Sequence, residues 1–91
     1  MAKWLVIFTK EAENDVDLLD VKVRVRTLEK ISWLCNNFEK INHLPLGYGW
    51  QGFFKLRVGN WRVIYEIDYF DNEITVHYIN HRSKIYKKPT R

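Results

Sequence analysis

At 91 residues, 46% hydrophobic and 15% aromatic, the chain has enough apolar surface to bury one core, which excludes a disordered tail and leaves no room for a second domain, so residues 1–91 are expected to form one unit. One cysteine excludes an internal disulfide framework and points to a reducing compartment, the cytoplasm. The net charge of +4 is unevenly placed: up to Phe54 seven Lys or Arg meet seven Asp or Glu, whereas from Lys55 onward eight basic residues face four acidic ones, a bias toward a polyanionic partner such as nucleic acid.

The run Trp4–Phe8 is too short to cross a membrane and lacks a small-residue cleavage site behind it, so neither a targeting nor a membrane segment is expected. Residues 3–8 instead predict a β-strand covered on both faces. Thr9 is placed to cap a helix over about 10–19, with Glu11, Glu13 and Asp15 near its positive end and Ala12, Val16 and Leu19 on one face. Asp20 reads as the next cap. The segment after it alternates like a strand at first, but Val21, Val25, Leu28, Ile31 or Ser32, Cys35 and Phe38 continue a helical stripe, which predicts a helix over about 21–37.

Pro45 and the glycines Gly47, Gly49 and Gly52 mark residues 39–52 as a loop; Trp4, Trp33, Trp50 and Trp61 read as core anchors, and Trp50, lying in the loop, is also open to contact with a partner. Three strands are predicted over 53–58, 61–68 and 73–80, separated by Gly59-Asn60 and by a turn around Asp71-Asn72. The fold class is therefore α+β in the order β-α-α-β-β-β: two N-terminal helices on a small, mainly antiparallel sheet of about four strands.

A tight turn at Gly59-Asn60 sets Arg57 opposite Arg62 and Leu56 opposite Val63, which divides the hairpin into two faces. Phe54, Leu56, Val58, Trp61, Val63, Tyr65 and Ile67 make an apolar face for the helices. Phe53, Lys55, Arg57, Arg62 and Ile64 lie on the other, where facing arginines destabilise a sheet by up to about 1 kcal/mol. Folding alone does not favour that arrangement. Carried through a turn at Asp71-Asn72, the register predicts Ile67 opposite Val76, Glu66 opposite His77 and Arg62 opposite His81. This assembles a concave basic patch, with Phe53 as a stacking surface, suited to a phosphodiester and its neighbouring base.

The stretch from Phe54 to Ile67, FKLRVGNWRVIYEI, with the later Asn80-His81-Arg82-Ser83-Lys84-Ile85-Tyr86, resembles the core signature of the RelE/ParE toxin superfamily. The element order matches as well, so the resemblance covers nearly the whole chain. It implies the toxin of a type II toxin-antitoxin system, of the RelE-like kind: a metal-independent endoribonuclease that cleaves messenger RNA in the ribosomal A site by attack of the 2′-hydroxyl and so inhibits translation. Its implied partners are a cognate antitoxin, messenger RNA and the ribosome, and operator DNA only through the toxin–antitoxin complex. No membrane partner and no cofactor are implied.

The functional set implied by the resemblance is Lys55, Arg62, His81, Arg82 and Tyr86, and the basic patch and the basic C-terminal stretch add Phe53, Arg57, Lys84, Lys87 and Lys88 as residues expected to bind RNA or phosphate. Guanidinium groups would stabilise the charge that develops on pentacovalent phosphorus. The base and acid remain to be divided among Lys55, His81 and Tyr86, with stacking as the other role open to Tyr86. Two departures stand out: Phe53 replaces an additional lysine of the best-known member, and Tyr86 lies closer to the last basic residue. Cys35, His43, His77 and His81 lack metal-ligand spacing, so no metal is expected. The alternatives are a ParE-like topoisomerase (gyrase) inhibitor without nuclease activity and a noncatalytic RNA-binding module.

Overall fold

The computed structural model describes residues 3–47 and 49–85. Strand β1 (Leu5–Phe8) leads into helices α1 (Lys10–Leu18) and α2 (Val21–Asn36) and a 3-10 turn at Phe38–Lys40. The remaining strands are β2 (Leu44–Pro45), β3 (Phe54–Val58), β4 (Trp61–Asp68) and β5 (Glu73–His81). They form one sheet in the order β1-β5-β4-β3-β2, parallel only between β1 and β5. The fold class is the expected one, with a two-residue fifth strand inside the loop. No helix among the described residues is long and apolar enough to cross a membrane.

Local chemistry sets the helix starts. The Thr9 hydroxyl accepts from the Ala12 amide and the Asp20 carboxylate from the Lys22 amide, each satisfying a donor that the first helical turn leaves open. The face that α2 buries differs from the predicted stripe: Thr27, Ile31 and Leu34 are buried, while Val21, Val25 and Leu28 are exposed. Apolar residues occur on two sides of this helix, and periodicity alone cannot choose between them. The Thr27 hydroxyl is buried with no hydrogen-bond partner among the described residues. Thr27→Val should therefore raise the thermal midpoint, by about 1 kcal/mol of stability, since an unsatisfied buried hydroxyl is removed at nearly constant shape. Thermal unfolding followed by circular dichroism checks this.

Strand β1 is also less covered than expected. It pairs only with β5, and Leu5 and Ile7 are 60% and 42% exposed while Val6 and Phe8 pack on the core. The helices protect one face of this edge strand, and among the described residues nothing comparable covers the other.

The sheet has a core on each side. Between sheet and helices lie Ala12, Ile31, Leu34, Leu56, Val63, Tyr65, Ile74 and Val76 with their neighbours, and every residue assigned from sequence to the helix-facing side of the hairpin is in or against this cluster. On the opposite side Leu46, Trp50, Phe53, Ile64, Tyr78 and Ile85 form a second cluster. The loop is drawn over it by amide donation from Leu46 to the Phe53 carbonyl (2.9 Å) and from Trp50 to Gly47 (2.9 Å). Gly47, Gly49 and Gly52 all take positive φ there, a backbone that favours glycine. Trp50 is thus the core anchor expected of it, 6% exposed, and its position in the loop does not open it to a partner.

Candidate nucleic-acid interface

Sequence and turn chemistry position the basic residues of the first hairpin as expected. Gly59 takes φ +60° while Asn60 does not, the Gly-X order of a two-residue hairpin turn, and Arg57 pairs with Arg62, Lys55 with Ile64 and Val58 with Trp61. Leu56 and Val58 are buried and Arg57 is exposed, so the arginines lie on the face away from the helices.

The second hairpin departs from the predicted register. Ile67 pairs with Ile74, Glu66 with Thr75, Arg62 with Asn80 and Trp61 with His81, and a bulge interrupts the ladder at Ile64/Tyr65. The turn is the cause: Asp68 Oδ1 accepts from the amides of Phe70 (2.9 Å) and Asp71 (3.0 Å), and Asn72 sits at φ +56°, so a loop over residues 69–72 follows the Asp68–Glu73 pair and β4 meets β5 two residues out of the expected register. A bulge then absorbs one extra residue of β5. Consequently His81 does not join Arg57 and Arg62; its ring stands edge-on to Trp61 at 5.5 Å, on the helix-facing side at the hairpin tip. The Ser83 amide donates to His81 Nδ1 (3.2 Å), with the Ser83 hydroxyl 2.9 Å from the same nitrogen, which leaves the imidazole proton on Nε2.

His77, displaced by the bulge, turns to the far face, where its Nε2 lies 2.6 Å from Glu66 Oε1 and its ring meets Phe53 edge-on at 5.2 Å. Phe53 itself is 9% exposed, packed with Trp50, and so offers no open stacking surface. The far face is therefore not the concave basic patch predicted: its centre is filled, and the cations lie around the hairpin tip and the outer edge of β3.

Arg62 Nη1 donates to the carbonyls of Gly59 and Trp61, each at 2.8 Å, so this guanidinium braces the turn it flanks. The Arg82 amide donates to Asn60 O (2.8 Å), which ties the segment after β5 to the same tip, and the Lys84 amide donates to His81 O (2.9 Å). Ile85, fully buried, anchors that segment on the second cluster. Tyr86, Lys87 and Lys88 lie outside the described residues.

Because β2 pairs only with Phe54 and Lys55, β3 leaves an open edge from Leu56 to Val58. There a groove of about 410 Å³ runs between β3 and α2, lined by Arg26, Glu29, Lys30, Trp33, Arg57 and Gly59. A smaller cavity of about 180 Å³ adjoins it and adds Lys55, Asn42 and Leu44. Lys55 and Arg57 thus belong to the edge as much as to the face.

One further constellation was not legible in the sequence. His43 links Phe38 O, to which its Nε2–H donates (3.0 Å), and the hydroxyl of Tyr65, which donates to its Nδ1 (2.7 Å). Burial holds the Tyr65 phenol well above its usual range and hence protonated, as the donor role requires. Thirty-eight to sixty-five is too long a separation for any local pattern to reveal.

Residues 6–86 match the sequence model of the ParE toxin of the parDE type II toxin-antitoxin system. No curated protein sequence matches the chain. Among solved structures, the toxin–antitoxin complex RelBE2 from Mycobacterium tuberculosis contains a chain with TM-score 0.78 and 24% identity, covering 89% of this chain and 100% of that one. The archaeal RelE–RelB complex from Pyrococcus horikoshii follows at TM-score 0.71 and 24% identity, over 91% and 99% of the two chains. The isolated RelE toxin of E. coli gives TM-score 0.72 at 17% identity, over 92% of each. At these identities the structural likeness concerns the fold.

Proposed function

This chain belongs to the ParE toxin family of type II toxin-antitoxin systems, and on that premise we propose that it is an RNA-cleaving toxin that acts on messenger RNA at the ribosome. The observation that carries the reading is the convergence of Lys55, Arg57, Arg62 and the amide-tethered Arg82 on one hairpin tip and edge. Preset cations at such a site would favour the doubly charged phosphorane over the ground-state diester. The 2′-oxygen attacks phosphorus as its proton passes to a base, the P–O5′ bond breaks, and the leaving 5′-oxygen takes a proton from an acid. A 2′,3′-cyclic phosphate and a 5′-hydroxyl result.

Proton roles follow from the hydrogen bonds. The lone pair of His81 Nδ1 is engaged by Ser83, so the base falls to Lys55 or Tyr86. As an acid, His81 would release the Ser83 amide when protonated. Lys84, Lys87 and Lys88 serve phosphate binding in this reading.

The cell must mask such a site, and a cognate antitoxin is the proposed partner; Leu18, Val21, Val25 and Leu28 leave an apolar strip on the helices that a partner can cover. Its setting is the cytoplasm. In the RelBE2 and archaeal RelE–RelB complexes, relatives of this fold are bound to antitoxins.

Added to an in vitro translation reaction, the chain should produce new 3′ ends within the coding region of the message, seen by primer extension, and stoichiometric antitoxin should suppress them. An intact message sinks the reading. One observation favours the second reading, a topoisomerase inhibitor: Phe53, buried, occupies the place of a lysine in the best-known nuclease of the superfamily. Inhibition of gyrase supercoiling with an uncut message would establish that alternative.

A further inference from the structure

Trp33 is 40% exposed on α2, whereas Trp4 and Trp50 are 8% and 6% exposed and serve the two cores. The side of α2 that packs on the sheet is already filled by Thr27, Ile31 and Leu34, so burial does not account for an indole at this position. Its surroundings are cationic. Lys30 Nζ lies 4.0 Å from the ring centroid. Arg26, from the same helix, reaches over the hairpin turn, its Nη2 3.1 Å from where a Cβ on Gly59 would stand. Arg57 lines both adjoining cavities and Lys55 the smaller one, so Arg26, Lys30, Lys55 and Arg57 surround the indole with Glu29 as the acid in the groove.

We propose that the groove between α2 and the open edge of β3 is a second contact for single-stranded RNA, in which Trp33 stacks on a base while Arg26 and Lys30 hold the flanking phosphates. It rests on the reading of the chain as an RNA-directed toxin, and extends the site to residues of α2. An aromatic plane beside cations is the combination that holds unpaired nucleotides without regard to sequence. Arg57 makes the groove continuous with the hairpin-tip cations, so one strand can pass from one to the other.

An added peptide strand fits this edge poorly. β2 already occupies Phe54 and Lys55, leaving three residues of β3, Leu56, Arg57 and Val58, for a further strand to pair with. That is the lower limit of strand length, well below the roughly five or six residues that strands ordinarily use.

The test uses the full chain and a short, fluorescein-labelled single-stranded RNA with 2′-O-methyl groups throughout, which has no nucleophile and stays intact during an anisotropy titration. Trp33→Ala should weaken binding about tenfold, and Trp33→Phe should restore most of it. Arg26→Ala and Lys30→Ala should each reduce the dependence of log K on log salt by about 0.7. Lys22→Ala, on the exposed start of α2, should bind like wild type, and thermal midpoints should agree across the set. Equal affinity of wild type and Trp33→Ala overturns the proposal, as does a Trp33→Ala variant that keeps RNA but loses an acidic peptide. Loss of RNA affinity in a chain that leaves the message uncut supports the groove and sinks the nuclease reading. Message cleavage with affinity unchanged in Trp33→Ala does the reverse.

Discussion

Arg62→Ala is expected to lower message cleavage by two to three decades, the loss of about 3–4 kcal/mol of transition-state charge stabilisation. Arg62, on β4, stands directly opposite Arg57 on β3 and beside the turn to which Arg82 is tied, so its charge lies where the cations converge. Sequence alone suggests that stability would hold or rise, because one of two facing like charges disappears. The structure reverses that sign: the guanidinium donates to Gly59 O and Trp61 O at 2.8 Å, and removing it leaves both turn carbonyls to solvent. The expected cost is about 1 kcal/mol, well below what would unfold the chain. Cleavage in a translation reaction and the thermal midpoint are measured together. Arg62→Lys separates the two roles, since a lysine keeps the charge but loses the planar fork. Wild-type cleavage by Arg62→Ala would remove the chemical role from this residue.

Ile85→Ala is expected to produce the largest change in stability, about 3 kcal/mol, with a midpoint lower by roughly 15 °C. Ile85 is fully buried among Leu46, Trp50, Phe53, Ile64 and Tyr78, where the loop and the end of the chain close over the far face of the sheet. Truncation leaves a void that a ring-lined cluster cannot readily collapse to fill. Activity should fall as well, because the same burial anchors the segment whose Arg82 amide is tied to the hairpin tip at Asn60. A midpoint within 1 °C of wild type would show that this cluster is not a cooperative part of the fold. Lys84→Ala, exposed one residue earlier, serves as the stability control and should shift stability by no more than about 0.5 kcal/mol.

What the sequence determined by itself was everything governed by neighbours along the chain. Thr9 and Asp20 are caps because their side chains bond amides two or three residues on. The first hairpin is a tight pairing because Gly59 permits the turn, and from there alternation alone sets Arg57 against Arg62. Only the tertiary structure decided the rest. The register of β4 on β5 depended on Asp68 capping a longer turn and on a bulge that no period-two pattern records, and with it went the place of His81. The buried face of α2 depended on which of two apolar sides the sheet met. The loop around Trp50 could be seen to be irregular but not to cover Ile64 and Phe53. In each case the deciding contact joins residues far apart in the chain, and burial, which local propensity does not encode, outweighs the local preference.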